Sequence, residues 1–265
     1  TPIQTISDAN GAIYQLEHNS NSSQYLLTFF DQNGALRTDK GTNGSVIISP
    51  QQHQTYTSIH AVGDSIFLLS TQIITSPPIG QVYVLEKLNI NNSTFDNSFG
   101  TNGRIELSTV IGSNISPREI ASDGQGNINL LFSGTDYHVV QLRPDGSLNT
   151  EFGDAGHAII DMANGANNYA WGMDIASDGS LFIAGNHYQT QDNHDFGLIK
   201  LTSQGQLDNG FNQSLLYTEA DTPIVILSTL NITDVDNTTL LSADVKISSG
   251  FSCFNLSIDI SGYRV

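Results

Sequence analysis

The apolar positions of this chain fall into short runs with a period of two, or with no period at all, and Gly, Asp, Asn or Ser closes each run. Tyr169 to Ala176 reads as a strand, Ser177-Asp178-Gly179 as a tight turn and Ser180 to Gly185 as its hairpin partner. Asp195 to Leu201 makes a third strand, Thr202 to Phe211 a loop and Ser214 to Thr218 a fourth strand, so this stretch is a four-stranded meander. The hairpin turn returns at Ser7-Asp8-Ala9-Asn10-Gly11, Val62-Gly63-Asp64, Ser122-Asp123-Gly124 and Asp234-Val235-Asp236-Asn237. Third strands return at Gln24 to Phe30, Gln81 to Leu88, Tyr137 to Leu142 and Cys253 to Ile260. No segment sustains a 3.6-residue apolar period, which predicts almost no helix. Second strands such as Ser65 to Leu69 and Asn129 to Phe132 are apolar at consecutive positions. A sheet with one wet face alternates, so these strands are expected to be covered on both faces.

A loop segment recurs with the strands. Gln32-Asn33-Gly34-Ala35-Leu36 leads to Gly41-Thr42-Asn43-Gly44, Asn92-Ser93-Thr94-Phe95 to Phe99-Gly100-Thr101-Asn102-Gly103, and Gln204-Gly205-Gln206-Leu207 to Gly210-Phe211. The anchors Leu36, Phe95, Leu148 and Leu207 stand 59, 53 and 59 positions apart. Self-similarity at such a period means one supersecondary unit copied and stacked, each copy covering an apolar face of the next. The expected fold is all-β, a five-bladed β-propeller of four-stranded antiparallel meanders in a single domain over 1–265. Its blades are placed at about 1–50, 55–109, 117–162, 169–219 and 224–265, the last one short because only Tyr263-Arg264-Val265 follow Gly262. A linear solenoid is the alternative arrangement.

The stretch Pro144-Asp145-Gly146-Ser147-Leu148-Asn149-Thr150-Glu151-Phe152-Gly153-Asp154-Ala155-Gly156 resembles the signature of the delta-60 repeat family, tandem bacterial repeats of propeller type. Ala176 to Gly185 and Asp195 to Leu201 are similar to the two other characteristic stretches of that repeat. The likeness is best over residues 118 to 212. It implies the architecture and export from the cell, and it carries no catalytic residues. The recurring Asp-Gly and Asn-Gly pairs supply the positive φ angles of tight turns, and the Phe of Phe-Gly is expected to tuck the long loop against its blade.

Charge narrows the partners. Lys plus Arg number 9 and Asp plus Glu 26, a net charge of −17, which repels phosphate backbones and anionic membrane surfaces. Nucleic acid is therefore not an expected partner, and no apolar run reaches the roughly 20 residues of a membrane span. Cys253 is the one cysteine, so no intrachain disulfide forms, and its setting in Phe251-Ser252-Cys253-Phe254 reads as a buried, inert thiol. The chain opens Thr1-Pro2 without a signal-like stretch, as a mature exported chain would. With scarce Lys and plentiful Asn and Thr, this suggests a monomer that is secreted, periplasmic or held at the cell surface.

Candidate chemistry is sparse. No Gly-x-Ser-x-Gly elbow is present, and nothing suggests a nucleophilic triad. His187 and His194 stand close together in a polar loop with Asp192 and Asp195, but their spacing fits no defined zinc motif. No metal site and no cofactor are assigned, beyond weak surface Ca²⁺ binding by an acidic chain. Carboxylates near first strands are Asp8, Asp64, Glu119, Asp123, Asp174 and Asp178. Glu119 and Asp174 lie inside the first strands of adjacent units and are the pair to test if the protein is a glycoside hydrolase or lyase. Tyr169 and Trp171, the one Trp, stand beside Gly172 on the same strand and are candidate stacking surfaces, with His187 and His194 as further ligand contacts. The leading reading is a non-enzymatic platform that binds a protein or a glycan. A structural repeat module of a larger surface protein is a third.

Overall fold

The computed structural model of the chain describes residues 1–76, 79–107, 111, 115–161, 168–190, 193–208 and 211, leaving aside the side chains of 168, 187–190 and 193–196. These residues fall within one compact unit, Thr1–Thr222. Four antiparallel sheets follow one another along it, each in simple meander order. Blade 1 holds β1 (Pro2–Ser7), β2 (Ile13–Asn19), β3 (Gln24–Phe30) and β4 (Ser45–Ile48). Blade 2 holds β5 (Gln54–Val62), β6 (Ser65–Ile74), β7 (Gly80–Asn89), the short β8 (Thr94–Phe95) and β9 (Arg104–Glu106), both of which pair with β7. Blade 3 holds β10 (Ser116–Ser122), β11 (Ile128–Ser133), β12 (Tyr137–Leu142) and β13 (His157–Ile160). Blade 4 holds β14 (Asn168–Ile175), β15 (Leu181–Thr190) and β16 (Asn193–Leu201). Among the described residues only Ile111 is helical.

The chain is thus an all-β propeller of antiparallel sheets, and its described residues form four blades where five were expected. The fifth unit, 224–265 with Cys253, and the fourth strand of blade 4 lie outside the described residues. A second correction concerns 186–195, expected as a loop. The strands of that hairpin run on, so that the backbone of His187 pairs with Asp195 and that of Tyr188 with His194. Polar side chains gave no apolar alternation to mark the strands there, yet the backbone ladder continues once its register is set by Leu181↔Leu201.

Consecutive apolar residues on the second strands have a simple cause. Ile66 and Leu68 lie in the core shared with blade 1, beside Tyr14, Leu16 and Leu27, whereas Phe67 and Leu69 lie in the core shared with blade 3, beside Leu130, Phe132 and Val140. Leu131 likewise turns away from Leu130 to join Leu181 and Ile183 of blade 4. Successive side chains point to opposite faces of a strand, and each face meets a neighbour. Every residue of β11 is buried.

The long loops repeat as closely as the strands. Leu36, Phe95, Leu148 and Leu207 fold back to pair with the ends of third strands at Phe30, Leu88, Leu142 and Leu201. The next residue in each case donates its N–H to the third strand: Arg37 to Phe29, Asp96 to Lys87, Asn149 to Gln141 and Asp208 to Lys200, at 2.8–2.9 Å. In blades 2 and 4 the side chains at this position form ion pairs, Lys87–Asp96 at 2.8 Å and Lys200–Asp208 at 2.9 Å, and each Lys lies over a Phe of the second strand, Phe67 or Phe182. The recurring Phe does more than hold its own loop. A side chain at Gly146 of blade 3 would collide with Phe99 of blade 2, and one at Gly205 of blade 4 with Phe152 of blade 3, so each ring packs under the next blade's loop. Blade 1 has Lys40 in the Phe position, and it reaches Asn91 of blade 2 at 2.6 Å instead.

Candidate ligand site at the inner strands

The first strands of successive blades, β1, β5, β10 and β14, pack against one another in order. Each carries an irregularity at the same place, where the register with the second strand steps by one residue at Ile3, Thr57, Arg118 and Trp171. A bulge at this point bends the strand and re-aims the side chain, which is how a structural repeat comes to present four different chemistries at one position. Trp171 is 51% exposed and Ile3 38%, Arg118 is exposed and Thr57 partly so. Tyr169, two residues before Trp171, is 37% exposed, whereas Ala170 between them is fully buried.

In blades 1 and 3 the residue after the bulge reaches toward the next blade. Gln4 Oε1 accepts the N–H of Ile59 at 2.6 Å, and Glu119 Oε2 accepts the N–H of Met173 at 2.6 Å. Ser58, the counterpart in blade 2, is too short for this and its buried hydroxyl has no hydrogen-bond partner. There His60 Nε2 and Ser122 Oγ, 2.9 Å apart, link blades 2 and 3. Ala170 N–H donates to Ser133 Oγ at 3.1 Å, a further tie between blades 3 and 4.

Glu119 and Asp174 are brought together at this seam. Asp174 is exposed and its Oδ1 accepts the N–H of Ile175 at 2.8 Å. Burial raises the Glu119 carboxyl above its ordinary value; the Met173 N–H opposes the rise and the negative charge of Asp174 adds to it. Three of the other carboxylates near first strands cap turns. Asp8 accepts from the N–H groups of Asn10 and Ala12, Asp123 from those of Gln125 and Asn127, and Asp178 from that of Ser180. Of His187 and His194 only the backbone is described: they sit in adjacent strands one register step apart. No cluster of three or more His, Cys, Asp or Glu able to hold a metal is present among the described residues.

Sequence reading missed the bulges, Arg118 among them, because a one-residue register step leaves no mark in an apolar pattern. It also missed the pairing of His138 with His157, which follows only from the β12–β13 register. A half-exposed indole, a phenol, a guanidinium and two carboxylates thus stand on β10 and β14, the two first strands of one blade seam.

The fold defines the class: an antiparallel β-propeller, with aromatic and acidic residues on the first strands of one blade seam. A family model described as a beta-propeller domain of unknown function, DUF5122, matches residues 176–211. No curated protein matches the chain. Among solved structures the chain is similar to the major allergen Mala s 1 of Malassezia sympodialis, at 11% identity over 82% of this chain and 86% of that one, with a TM-score of 0.38. A protein of unknown function from Bacteroides caccae matches at 11% identity over 82% and 81%, TM-score 0.37. A xylan beta-1,4-xylosidase from Bacillus halodurans matches at 11% identity over 84% of this chain and 42% of that one, TM-score 0.41.

Proposed function

We propose that this protein is an exported bacterial propeller of the delta-60 type that binds a glycan at the inner end of the seam between blades 3 and 4. The observation that carries this is the half-exposed indole of Trp171, held out by a bulge beside Tyr169, with the carboxylates of Glu119 and Asp174 on the same strand pair. Aromatic faces stack on the C–H surface of sugar rings, and carboxylates accept from hydroxyls, so the two chemistries serve one ligand. The chain's −17 charge steers it from nucleic acid and toward neutral or basic ligands. Binding to a glycan array, followed by calorimetry on the best ligand, tests the reading. Trp171→Ala is expected to weaken that ligand at least tenfold with the fold intact; an array without signal, or an affinity untouched by the substitution, overturns it.

A second reading, glycoside hydrolysis or lysis, is favoured by one observation, the raised Glu119 carboxyl beside Asp174. Two neighbouring carboxyl groups, one of them with a raised value suited to a general acid, are what glycoside cleavage uses. Release of reducing sugar by the native protein and its loss in Glu119→Gln would support it. The arrangement at blade 1 argues against it, since Gln4 fills the same position with no charge.

A further inference from the structure

At the outer side of blade 3, His138 on β12 and His157 at the start of β13 face each other with Nδ1 of the first 3.0 Å from Nε2 of the second. Their ring centroids lie 5.1 Å apart and their planes are inclined by 26°. Both side chains are partly exposed, and β13 is the edge strand of its sheet, so the pair is open to solvent. A contact of this kind holds one proton between two nitrogen lone pairs, each aimed at the other. We propose that His138 and His157 form a two-histidine site for a borderline transition-metal ion such as Zn²⁺, Ni²⁺ or Cu²⁺.

The geometry suits the exchange of that proton for a metal. Imidazole nitrogens bind Zn²⁺ at about 2.0–2.1 Å, and two of them at a tetrahedral angle stand about 3.3 Å apart. To convert the hydrogen bond into a bidentate site the nitrogens part by a few tenths of an ångström and each ring turns by roughly 35°, so that both lone pairs converge on the ion. Neither histidine is loosely placed. The Val140↔His157 and His138↔Ile159 pairs of the ladder fix their backbones, and His157 follows Gly156 at the end of the long loop. The Asp136 carboxylate acts on His138 from two residues away, and the net charge of −17 raises the local concentration of any divalent cation. No third protein ligand joins the pair among the described residues. Two imidazole nitrogens make the site selective for metals that prefer nitrogen over those that prefer oxygen. The site lies apart from the proposed glycan face and stands or falls independently of it.

The test is a titration of the full chain with Zn²⁺ and Ni²⁺ at pH 7.5 by calorimetry, with NMR of the histidine rings in parallel. One equivalent is expected to bind, Ni²⁺ is expected to broaden the ring signals of His138 and His157 and spare the other five of the seven histidines, and Mg²⁺ or Ca²⁺ in excess should not compete. His138→Gln and His157→Gln should each weaken binding at least tenfold. The NMR measurement needs no variant, so it decides even if a substitution unfolds blade 3. Absence of binding, broadening centred on other histidines such as His187 and His194, or unchanged affinity in both variants overturns the proposal.

Discussion

Gln4 and Glu119 occupy the same position, one residue past the bulge of a first strand, and each accepts a backbone N–H from the first strand of the following blade at 2.6 Å. A neutral amide and a carboxylate thus make the same stitch between blades. Gly172 leaves space for it at the second seam, since a Cβ there would stand 3.3 Å from Glu119 Oε2. The charge on Glu119 is therefore separable from its structural work.

That separation gives the first prediction. Glu119→Gln keeps an acceptor for Met173 N–H and removes a half-buried charge, so stability at pH 7 should stay level or rise. Glu119→Ala leaves the N–H unmet and should cost about 1–3 kcal/mol. The pH dependence is specific. Burial lifts the Glu119 carboxyl above its unfolded value, so the fold binds the proton more tightly, and this group's contribution is present below about pH 4.5 and lost as pH rises through the folded value. Denaturant unfolding from pH 4 to 7 should show that loss in the native protein and lack it in Glu119→Gln. An equal slope in both proteins would contradict the assignment.

A second prediction comes from comparing the same cross-strand row in three blades. Blade 2 reads Phe67–Lys87–Asp96 and blade 4 Phe182–Lys200–Asp208, each ending in an ion pair. The Lys87 ammonium holds the Asp96 carboxyl down, with help from Ser98, to about 2. Blade 3 instead has an amide chain in which Asn149 donates to Gln141 at 2.6 Å and Gln141 to Asn129 at 2.9 Å, and it ends on an Asn129 Nδ2 that is buried with no hydrogen-bond partner. Replacing all three together, Asn129→Phe, Gln141→Lys and Asn149→Asp, should raise the unfolding midpoint, since removal of the orphaned donor alone is worth about 1–3 kcal/mol of unfolding free energy. A lower midpoint than the native protein's would show that blade 3 needs its amides.

How much of this was legible in the sequence differs by level. Strand Gln24–Phe30 falls where the alternation put it because Tyr25, Leu27 and Phe29 share one core, and Tyr137–Leu142 does so because Tyr137 and Val139 face one core and Val140 and Leu142 another. The turns at Asp8, Asp123 and Asp178 were equally readable, since an Asx side chain bonding two residues ahead is local chemistry. Glu119 and Asp174 were singled out from strand position alone, and the structure places them at one seam. Their hydrogen-bonding roles were not readable, because these depend on the bulges at Arg118 and Trp171, and a bulge is a register relation between two strands. The same reason hid the long hairpin through His187 and His194. Their side chains are polar, so only backbone pairing marks them as strand.

His60 supplies a third prediction. It is partly buried, with Nε2 2.9 Å from Ser122 Oγ, and burial holds its imidazole below its ordinary value. A depressed value favours the neutral ring in the fold, so this contribution to stability is whole above about pH 6.5 and is lost as pH falls below that toward the folded value. Unfolding free energy should drop between pH 7.5 and 5.5, and His60→Gln should shrink the drop. A variant with the same drop as the native protein would place the acid sensitivity elsewhere.

The loop positions two residues before the anchors provide the last prediction. Gly34, Ser93, Gly146 and Gly205 all take positive φ, from 59° at Ser93 to 88° at Gly146. The demand is not the same at each. A Cβ at Gly146 would lie 2.6 Å from Ile105 Cδ1 and 2.7 Å from Phe99 Cε2, and one at Gly205 2.8 Å from Phe152 Cζ. Ser93 faces blade 1, which has Lys40 in place of the Phe, and so escapes the clash while keeping the backbone cost of the left-handed region. Gly146→Ala should therefore lose more than the roughly 1–2 kcal/mol of backbone strain, because a buried ring must also move. Ser93→Gly should recover part of that strain and stabilise the protein. Ala155, at φ 50° where the other blades have Asn43 and Asn102, should respond in the same direction to Ala155→Asn. Thermal unfolding of the three variants checks the ordering, and a Gly146→Ala protein as stable as the native one would remove the proposed packing of each Phe beneath the next blade's loop.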